Sequence, residues 1–472
     1  MGATPRKRRN LGALENKDLI SSLPDDVLGR ILSWLPTKYA VATTILSSRW
    51  KNLYKLASTL DFDDSISFNP RVRLGIGRRN NTCFKEIVNL MLARCKTSQI
   101  SKFRMKCKNN YMPSLLHECM EAVVSHKVAE LELSFHMSMS CVLKFSQLTC
   151  ENLVLLKLDG IFTLCVPKSV TFPRLKVLSM KGITFYGRSW RSLIVNTEPI
   201  WDHYHSLNGI LSGCPLLEEL VIDGCTWHSG DLYFTNPLLR KLTLDPGLNG
   251  PLDQLNDATI YIDLPSLVYF DYSECLAQQY EIRNLNSIIE AHIITGFNDD
   301  EYEDGQDLCN TMLDFITGLR DCQFLDLSRQ CLEALTSGYF ELPVFRYLTR
   351  LDLALGHDVS WNDVLLDFLI SSRCLKSLTL VQDSSQQDAT FSLKNEAVPA
   401  CVESWLKLIN IKDFKGFKGE IIMLKYFLEN AHVLEKMVIQ WDRSNRVAAF
   451  VAKEKDILKL PKSSVSCSIE FK

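Results

Sequence analysis

One apolar pattern recurs through most of this chain and restricts its fold more than any other feature. An apolar residue is followed by two variable positions, a second apolar residue, one variable position and a third apolar residue. The pattern stands at Ile100/Phe103/Met105, Val128/Leu131/Leu133, Leu153/Leu156/Leu158, Leu175/Leu178/Met180, Leu217/Leu220/Ile222, Leu239/Leu242/Leu244 and Leu267/Phe270/Tyr272. It returns at Ile288/Ala291/Ile293, Cys322/Leu325/Leu327, Leu348/Leu351/Leu353, Leu375/Leu378/Leu380, Leu406/Ile409/Ile411 and Leu434/Met437/Ile439. Intervals are mostly 21 to 34 residues, with one of 42. The last two apolar residues of each copy are two apart, so they point to one side of a strand. One strand and one return segment per unit, stacked on the next unit, accounts for the period. An ordinary α/β domain with Leu-rich strands does not require thirteen recurrences.

Pro breaks at Phe172-Pro173, Cys214-Pro215, Leu264-Pro265 and Leu342-Pro343 keep helices from running between units. Asp159-Gly160 and Asp223-Gly224-Cys225 are expected to turn the chain out of its strands. The pattern resembles the leucine-rich repeat, which implies an α/β fold: a curved solenoid with parallel strands on its concave face. The residues between the inward positions then face a partner, among them Lys102/Arg104, Glu130/Glu132, Leu155/Lys157, Val177/Ser179, Glu290/His292 and Arg350/Asp352. At ~4.8 Å per strand this surface runs roughly 60 Å, enough for a protein segment. Its charges alternate in sign, which disfavours a nucleic-acid groove.

Before the repeats lies Leu23-Pro24-Asp25-Asp26-Val27-Leu28-Gly29-Arg30-Ile31-Leu32-Ser33-Trp34-Leu35-Pro36. Val27, Leu28, Ile31, Leu32 and Leu35 form an apolar stripe at helical spacing. Pro24 suits a helix start, Asp25 and Asp26 suit the positive end of its dipole, and Pro36 stops it. Thr37 is expected to cap a second helix with Val41, Ile45 and Leu46, and Ser47 or Ser48 a third with Trp50, Leu53 and Tyr54. So short a helical segment cannot enclose a core of its own, so part of the stripe is expected to be covered by a partner. The Leu-Pro-Asp opening, the Ile-Leu-x-x-Leu-Pro centre, the Ser-x-Arg-Trp third helix and Tyr54 closely resemble the three-helix F-box. That resemblance implies docking on the Skp adaptor of a cullin-RING ubiquitin ligase. It assigns adaptor contact, or support of it, to Leu23, Pro24, Leu28, Ile31, Leu32, Leu35 and Trp50.

Near the C-terminus stand Val398-Pro399-Ala400-Cys401, a helix with Glu420, Met423, Leu424, Phe427 and Leu428, and Asn430-Ala431-His432-Val433-Leu434-Glu435-Lys436-Met437. These resemble the FBD domain of plant F-box proteins. Physically they are two strand units around a helix, closing the open end that a stack of repeats requires to be capped. The expected organisation is a basic tail (1–17), the F-box (18–60), the leucine-rich-repeat solenoid (61–397), and the FBD region with C-terminal cap (398–472). The combination resembles the plant F-box/FBD/leucine-rich-repeat protein family.

Charge and chemistry narrow the function. Residues 1–110 hold 21 Lys/Arg against 8 Asp/Glu, whereas the whole chain is at −2. That basic front suits an acidic protein partner. Arg6-Lys7-Arg8-Arg9 reads equally as a nuclear import signal and as a solvated arm, so localisation is expected to be cytoplasmic, nuclear or both. No apolar run is long enough to cross a membrane, and no secretory signal is expected. The 16 cysteines include no Cys-x-x-Cys pair, which points to buried reduced thiols and away from a metal site. Asp202-His203-Tyr204-His205 is the one compact His cluster and lacks a third ligand. No nucleophile elbow, phosphate loop or zinc-protease motif occurs, so no catalytic residue and no cofactor is assigned. Two readings remain. One is a non-catalytic, substrate-recognition subunit of an SCF-type E3 ubiquitin ligase, holding an unidentified target protein for ubiquitination. The other is a ligand receptor or interaction scaffold acting without ubiquitin transfer, its pocket built from the aromatic segment 184–204.

Overall fold

A computed structural model describes residues 22–65, 100–108, 113–135, 141–144, 151–165, 170–185, 206–226, 231–245, 259–273, 279–295, 305–355, 361–382, 397–442 and 447–472, with a few single positions between them. The basic run Arg6–Arg9, residues 69–81, Asp202–His205 and nearly all of the aromatic segment lie outside the described residues. So do most of the acidic stretch 297–307 and most of the polar stretch 381–397.

The strands, in chain order, are β1 (Thr59–Asp63), β2 (Lys102–Cys107), β3 (Glu130–Phe135), β4 (Cys141–Lys144), β5 (Leu155–Cys165), β6 (Val177–Phe185), β7 (Glu219–Asp223), β8 (Leu232–Phe234), β9 (Lys241–Asp245) and β10 (Thr259–Asp263). Then follow β11 (Tyr269–Tyr272), β12 (Gln279–Arg283), β13 (Glu290–Ile293), β14 (Phe324–Leu327), β15 (Arg350–Leu355), β16 (Ser377–Gln382), β17 (Leu408–Phe414), β18 (Lys436–Trp441) and β19 (Ser468–Phe471). Sixteen of them make one sheet, ordered β1-β2-β3-β5-β6-β7-β9-β11-β13-β14-β15-β16-β17-β18-β19 with β4 beside β5. Every pairing in it is parallel.

Each recurrence of the sequence pattern supplies one strand, and the registers align the pattern unit by unit: Phe103 with Leu131, Leu131 with Leu156, Leu156 with Leu178. Alternation then does the sorting. Phe103, Leu131, Leu156, Leu178 and Leu220 are fully buried, while the residues between them face outward. The first residue of each copy, such as Ile100, Val128 or Leu153, is buried as well, where the chain enters the strand.

Return segments differ along the chain. The segments after β7, β9 and β11 each contribute a short alternating strand, and β12, β10 and β8 pair in that order into a second parallel sheet. Extended backbone covers ~3.3 Å per residue against 1.5 Å in a helix, so a short return reaches back best as a strand. From residue 305 onward the returns hold helices. Gly305–Gly318 buries Met312, Phe315 and Ile316; Trp361–Ser371 buries Val364 and Phe368. At the changeover Phe315 packs on Tyr272 and Tyr280, whose hydroxyls meet at 2.8 Å.

Two turn expectations meet different outcomes. β7 ends at Asp223, and Gly224 adopts φ +60° as the chain leaves it. Asp159-Gly160 does not end β5; the strand runs on to Cys165 through a register shift. Gly160 takes φ +129°, and a Cβ there would lie 1.9 Å from the Phe135 carbonyl oxygen, so this bulge is built on a missing side chain. Cys107, Cys119, Cys214, Cys225, Cys309, Cys322, Cys331, Cys374, Cys401 and Cys467 are free, and of these all but Cys374 are buried. Burial pushes the Cys214, Cys322 and Cys401 thiols up to about 12, which keeps them protonated and unreactive near neutrality.

Candidate functional site

The N-terminal helical unit begins at α1 (Asp25–Leu32) and α2 (Thr37–Ala42), followed by 3-10 segments at Thr43–Ile45 and Arg49–Leu56. The third helix expected from the sequence is thus 3-10 in form. Thr37 and Ser48 do not cap through their side chains; Pro36 occupies the N-cap of α2, and the Thr37 hydroxyl is used elsewhere. It accepts the Asp61 N–H of β1 at 2.7 Å. Ser33 Oγ accepts the Ser58 N–H at 2.8 Å and donates to the Gly29 carbonyl. Arg49 donates to the Asp25 carboxylate at 2.8 Å and to the Leu23 carbonyl, tying the opening of α1 to the third segment. That explains why a Leu-Pro-Asp opening and a Ser-x-Arg-Trp segment occur together.

Leu28, Leu32 and Trp50 are buried with Ala40, Leu53 and Tyr54, and this apolar cluster continues into Leu60 and Phe62 of β1. Leu23 and Ile31 are half-buried against the same cluster. Pro24 is exposed, and Leu35 is 36 % exposed. The seven residues singled out in the sequence therefore divide into an interior set and a rim. Between them, the structure places large apolar side chains in water that the sequence reading had not selected. Trp34 is 84 % exposed and Ile45 86 %, with Leu46 and Tyr39 also exposed. The sequence groups Ile45 and Leu46 with Val41 on one helix, but α2 ends at Ala42 and a 3-10 segment follows, which leaves both side chains outward.

A second candidate surface is the outward face of the large sheet. At its front Lys102 pairs with Glu130 and Glu132, and Arg104 lies near Asp61 and Glu132. Burial raises the Asp61 pKa, with Arg104 opposing it. Midway, the His292 ring lies between Asp326 at 3.0 Å and Glu290 at 2.8 Å. Hydrogen bonding to Asp326 is the largest cause raising its pKa to about 9, so the ring is an imidazolium at neutral pH. Phe324 meets it edge-on, and the Arg350 guanidinium lies over the Phe324 ring at 4.1 Å while bridging to Asp352. Sequence spacing gave Glu290/His292 as outward neighbours but could not place Asp326, 34 residues away, beside them. Among the described residues no helix is long and apolar enough to cross a membrane.

The sequence model of the F-box domain matches residues 20–53, and that of FBD matches residues 394–439. The chain is similar to the Arabidopsis thaliana F-box/LRR-repeat protein At4g14103, with 30 % identity over 357 residues, covering 74 % of this chain and 88 % of that protein. It is 28 % identical over 443 residues to the F-box/LRR-repeat protein At4g14096 of the same plant, covering 91 % and 89 %. The putative F-box/FBD/LRR-repeat protein At3g59240, also from Arabidopsis thaliana, is 26 % identical over 476 residues, covering 96 % and 89 %. With an F-box model on the helical front, an FBD model across β17 and β18, and a relative matched over most of its length, the chain belongs to the plant F-box/FBD/leucine-rich-repeat protein family.

Proposed function

We propose that this chain is the substrate-recruiting subunit of an SCF-type E3 ubiquitin ligase and performs no catalysis itself. Its helical front (18–60) docks on a Skp-type adaptor and through it joins cullin and RING subunits. The repeats (61–397) form a curved solenoid whose strand face, on the concave side, holds a target protein, and the FBD region with the tail (398–472) closes the far end. The work is positional: a held target presents its lysines at high local concentration to the charged conjugating enzyme.

The observation that carries the reading is the exposure of Trp34, Ile45 and Leu46, with Tyr39, on the same small unit that buries Leu28, Leu32, Trp50 and Leu53. Large apolar groups concentrated in water mark an interaction surface. In this reading Pro24, Leu35 and the exposed edges of Leu23 and Ile31 contact the adaptor beside them, while Leu28, Leu32 and Trp50 hold the surface in shape. The test replaces Ile45 and Leu46 by Asp in the full chain. Adaptor co-purification is expected to fall by ~2–4 kcal/mol, the hot-spot scale, with the melting temperature kept. A Leu23→Ala, Pro24→Ala double variant is expected to weaken it in the same direction. Full retention of adaptor by both variants overturns the reading.

The receptor reading draws support from a cavity of about 640 Å³ between the helix Ser206–Ser212 and β8, floored by Leu217, Leu220, Phe234 and Leu239. Its size suits a small apolar molecule. Asn208 and Asn236, the amides at its rim, are already bonded to backbone at Asp231, Tyr233 and Cys214. A small molecule that raises the melting temperature of the wild type and not of a Leu220→Trp variant would favour it.

A further inference from the structure

Across the outward face of β2, β3, β5 and β6 lies a cleft of about 540 Å³. Five cations line it, Arg104, Lys106, Lys108, Lys157 and Lys181, against the carboxylates Glu132 and Asp159. The register sets them in two rows. Arg104, Glu132, Lys157 and Ser179 lie side by side on successive strands, as do Lys106, Ser134, Asp159 and Lys181.

Both carboxylates are already engaged. Glu132 is held by Lys102 at 2.6 Å and by Arg104 at 3.4 Å, and Asp159 accepts the Ser134 hydroxyl at 3.1 Å. Lys181 pairs with Asp223 at 2.6 Å. Among the described residues the side chains of Lys106, Lys108 and Lys157 make no ion pair or hydrogen bond. The Ser179 hydroxyl, on a residue only 8 % exposed, likewise borders the cleft with no partner. Three lysines without an ion partner and an open hydroxyl in one concavity specify an anionic occupant.

The placement also selects among anions. Lys106 and Lys157 stand on strands two apart and two residues apart along the strand, about 12 Å on the diagonal, and the cleft spans about 14 Å from β2 to β6. A single phosphoryl group is held by donors that converge, above all by an open guanidinium fork. Here the one guanidinium is occupied, and the free cations are separate points. We propose that this cleft binds an extended acidic segment of a target protein, with carboxylates three to four residues apart, since an extended chain covers ~12 Å in that length. This names the class of target for the recruiting role and rests on that role only for its use in the cell.

The test is fluorescence anisotropy on the full chain with labelled ten-residue peptides in a Gly/Ser background. One carries Glu at every third position and the other carries Gln there. The Glu peptide is expected to bind more than tenfold tighter than the Gln peptide, and to weaken as salt screens the lysines. A Lys106→Ala, Lys157→Ala double variant is expected to lose more than tenfold in affinity, and Ser179→Ala to lose less. Lys241→Ala, outside the cleft, is expected to bind as wild type. Circular dichroism and adaptor co-purification of each variant keep loss of fold and loss of the ligase role apart from loss of the peptide. Equal binding of Glu and Gln peptides, or full affinity in the double variant, overturns the proposal. So does binding of a phosphoserine peptide or a short RNA in preference to the Glu peptide.

Discussion

Gly29 lies where α1 crosses the third helical segment, and a Cβ added there would sit 2.9 Å from the Leu56 Cβ. Gly29→Ala is expected to cost ~1–3 kcal/mol by forcing the two segments apart, read as a drop in the urea midpoint. His292 gives a prediction of another kind. Its pKa in the folded chain is about 9, above the ordinary 6.5, because Asp326 and Glu290 bond the imidazolium. That stabilisation is fully present below pH 6.5 and is lost as pH rises through about 9. The groups facing the ring are Glu290, Asp326, Asp271, Tyr269 and Phe324. The gap in stability between wild type and His292→Gln should therefore be on the order of 2 kcal/mol at pH 6 and close by pH 10, measured by chemical denaturation. None of this was legible from residue types. A His two positions from a Glu can be read as sharing a strand face, but its second carboxylate arrives from another repeat.

Among elements, the strands of the large sheet were readable because each carries its own alternating pattern and its apolar residues have one place to go. The second sheet was not, because Leu232-Tyr233-Phe234 and Gln279–Arg283 are too short and too mixed to stand out from a turn. Only the distance each return must cover makes them strands. The helix Lys418–Asn430 shows the same dependence on context. Phe417 stands at its N-cap and offers no side-chain acceptor. Glu420 serves alone, its carboxylate accepting the N–H groups of Phe417 at 2.7 Å and Lys415 at 3.2 Å from a site only 7 % exposed. Burial opposes its charge and those amides restore part of it. Glu420→Ala is expected to destabilise the chain by ~1–3 kcal/mol, because two buried donors lose their acceptor. Thermal unfolding of the variant measures it. At the far edge, β19 pairs with β18 and Phe471 stacks on Trp441. Deleting residues 461–472 should bare that strand edge and yield oligomers by size-exclusion chromatography.

For the whole molecule, the sequence separates a helical front from repeats, and the F-box resemblance suggested a hook attached to an arc. The interior does not honour that boundary. Leu28, Leu32 and Trp50 belong to the same apolar cluster as Leu60 and Phe62, and Thr37 and Ser33 bond the backbone of Asp61 and Ser58. A Gly-Ser insertion between Ala57 and Ser58 is expected to lower the melting temperature and split one calorimetric transition into two. The boundary was invisible in sequence because hydrophobic patterns report which face is buried, not which neighbour buries it.

This shared interior turns the sheet into a ruler with a fixed zero. Whatever grips Trp34 also sets the heading of every strand behind it, since no slack joint intervenes at Ala57–Ser58. Cargo seated at β3 and cargo seated at β16 would then be delivered roughly 40 Å apart relative to that grip. In the proposed recruiting role, the repeat that a bound protein sits on would then decide which of its lysines comes within reach.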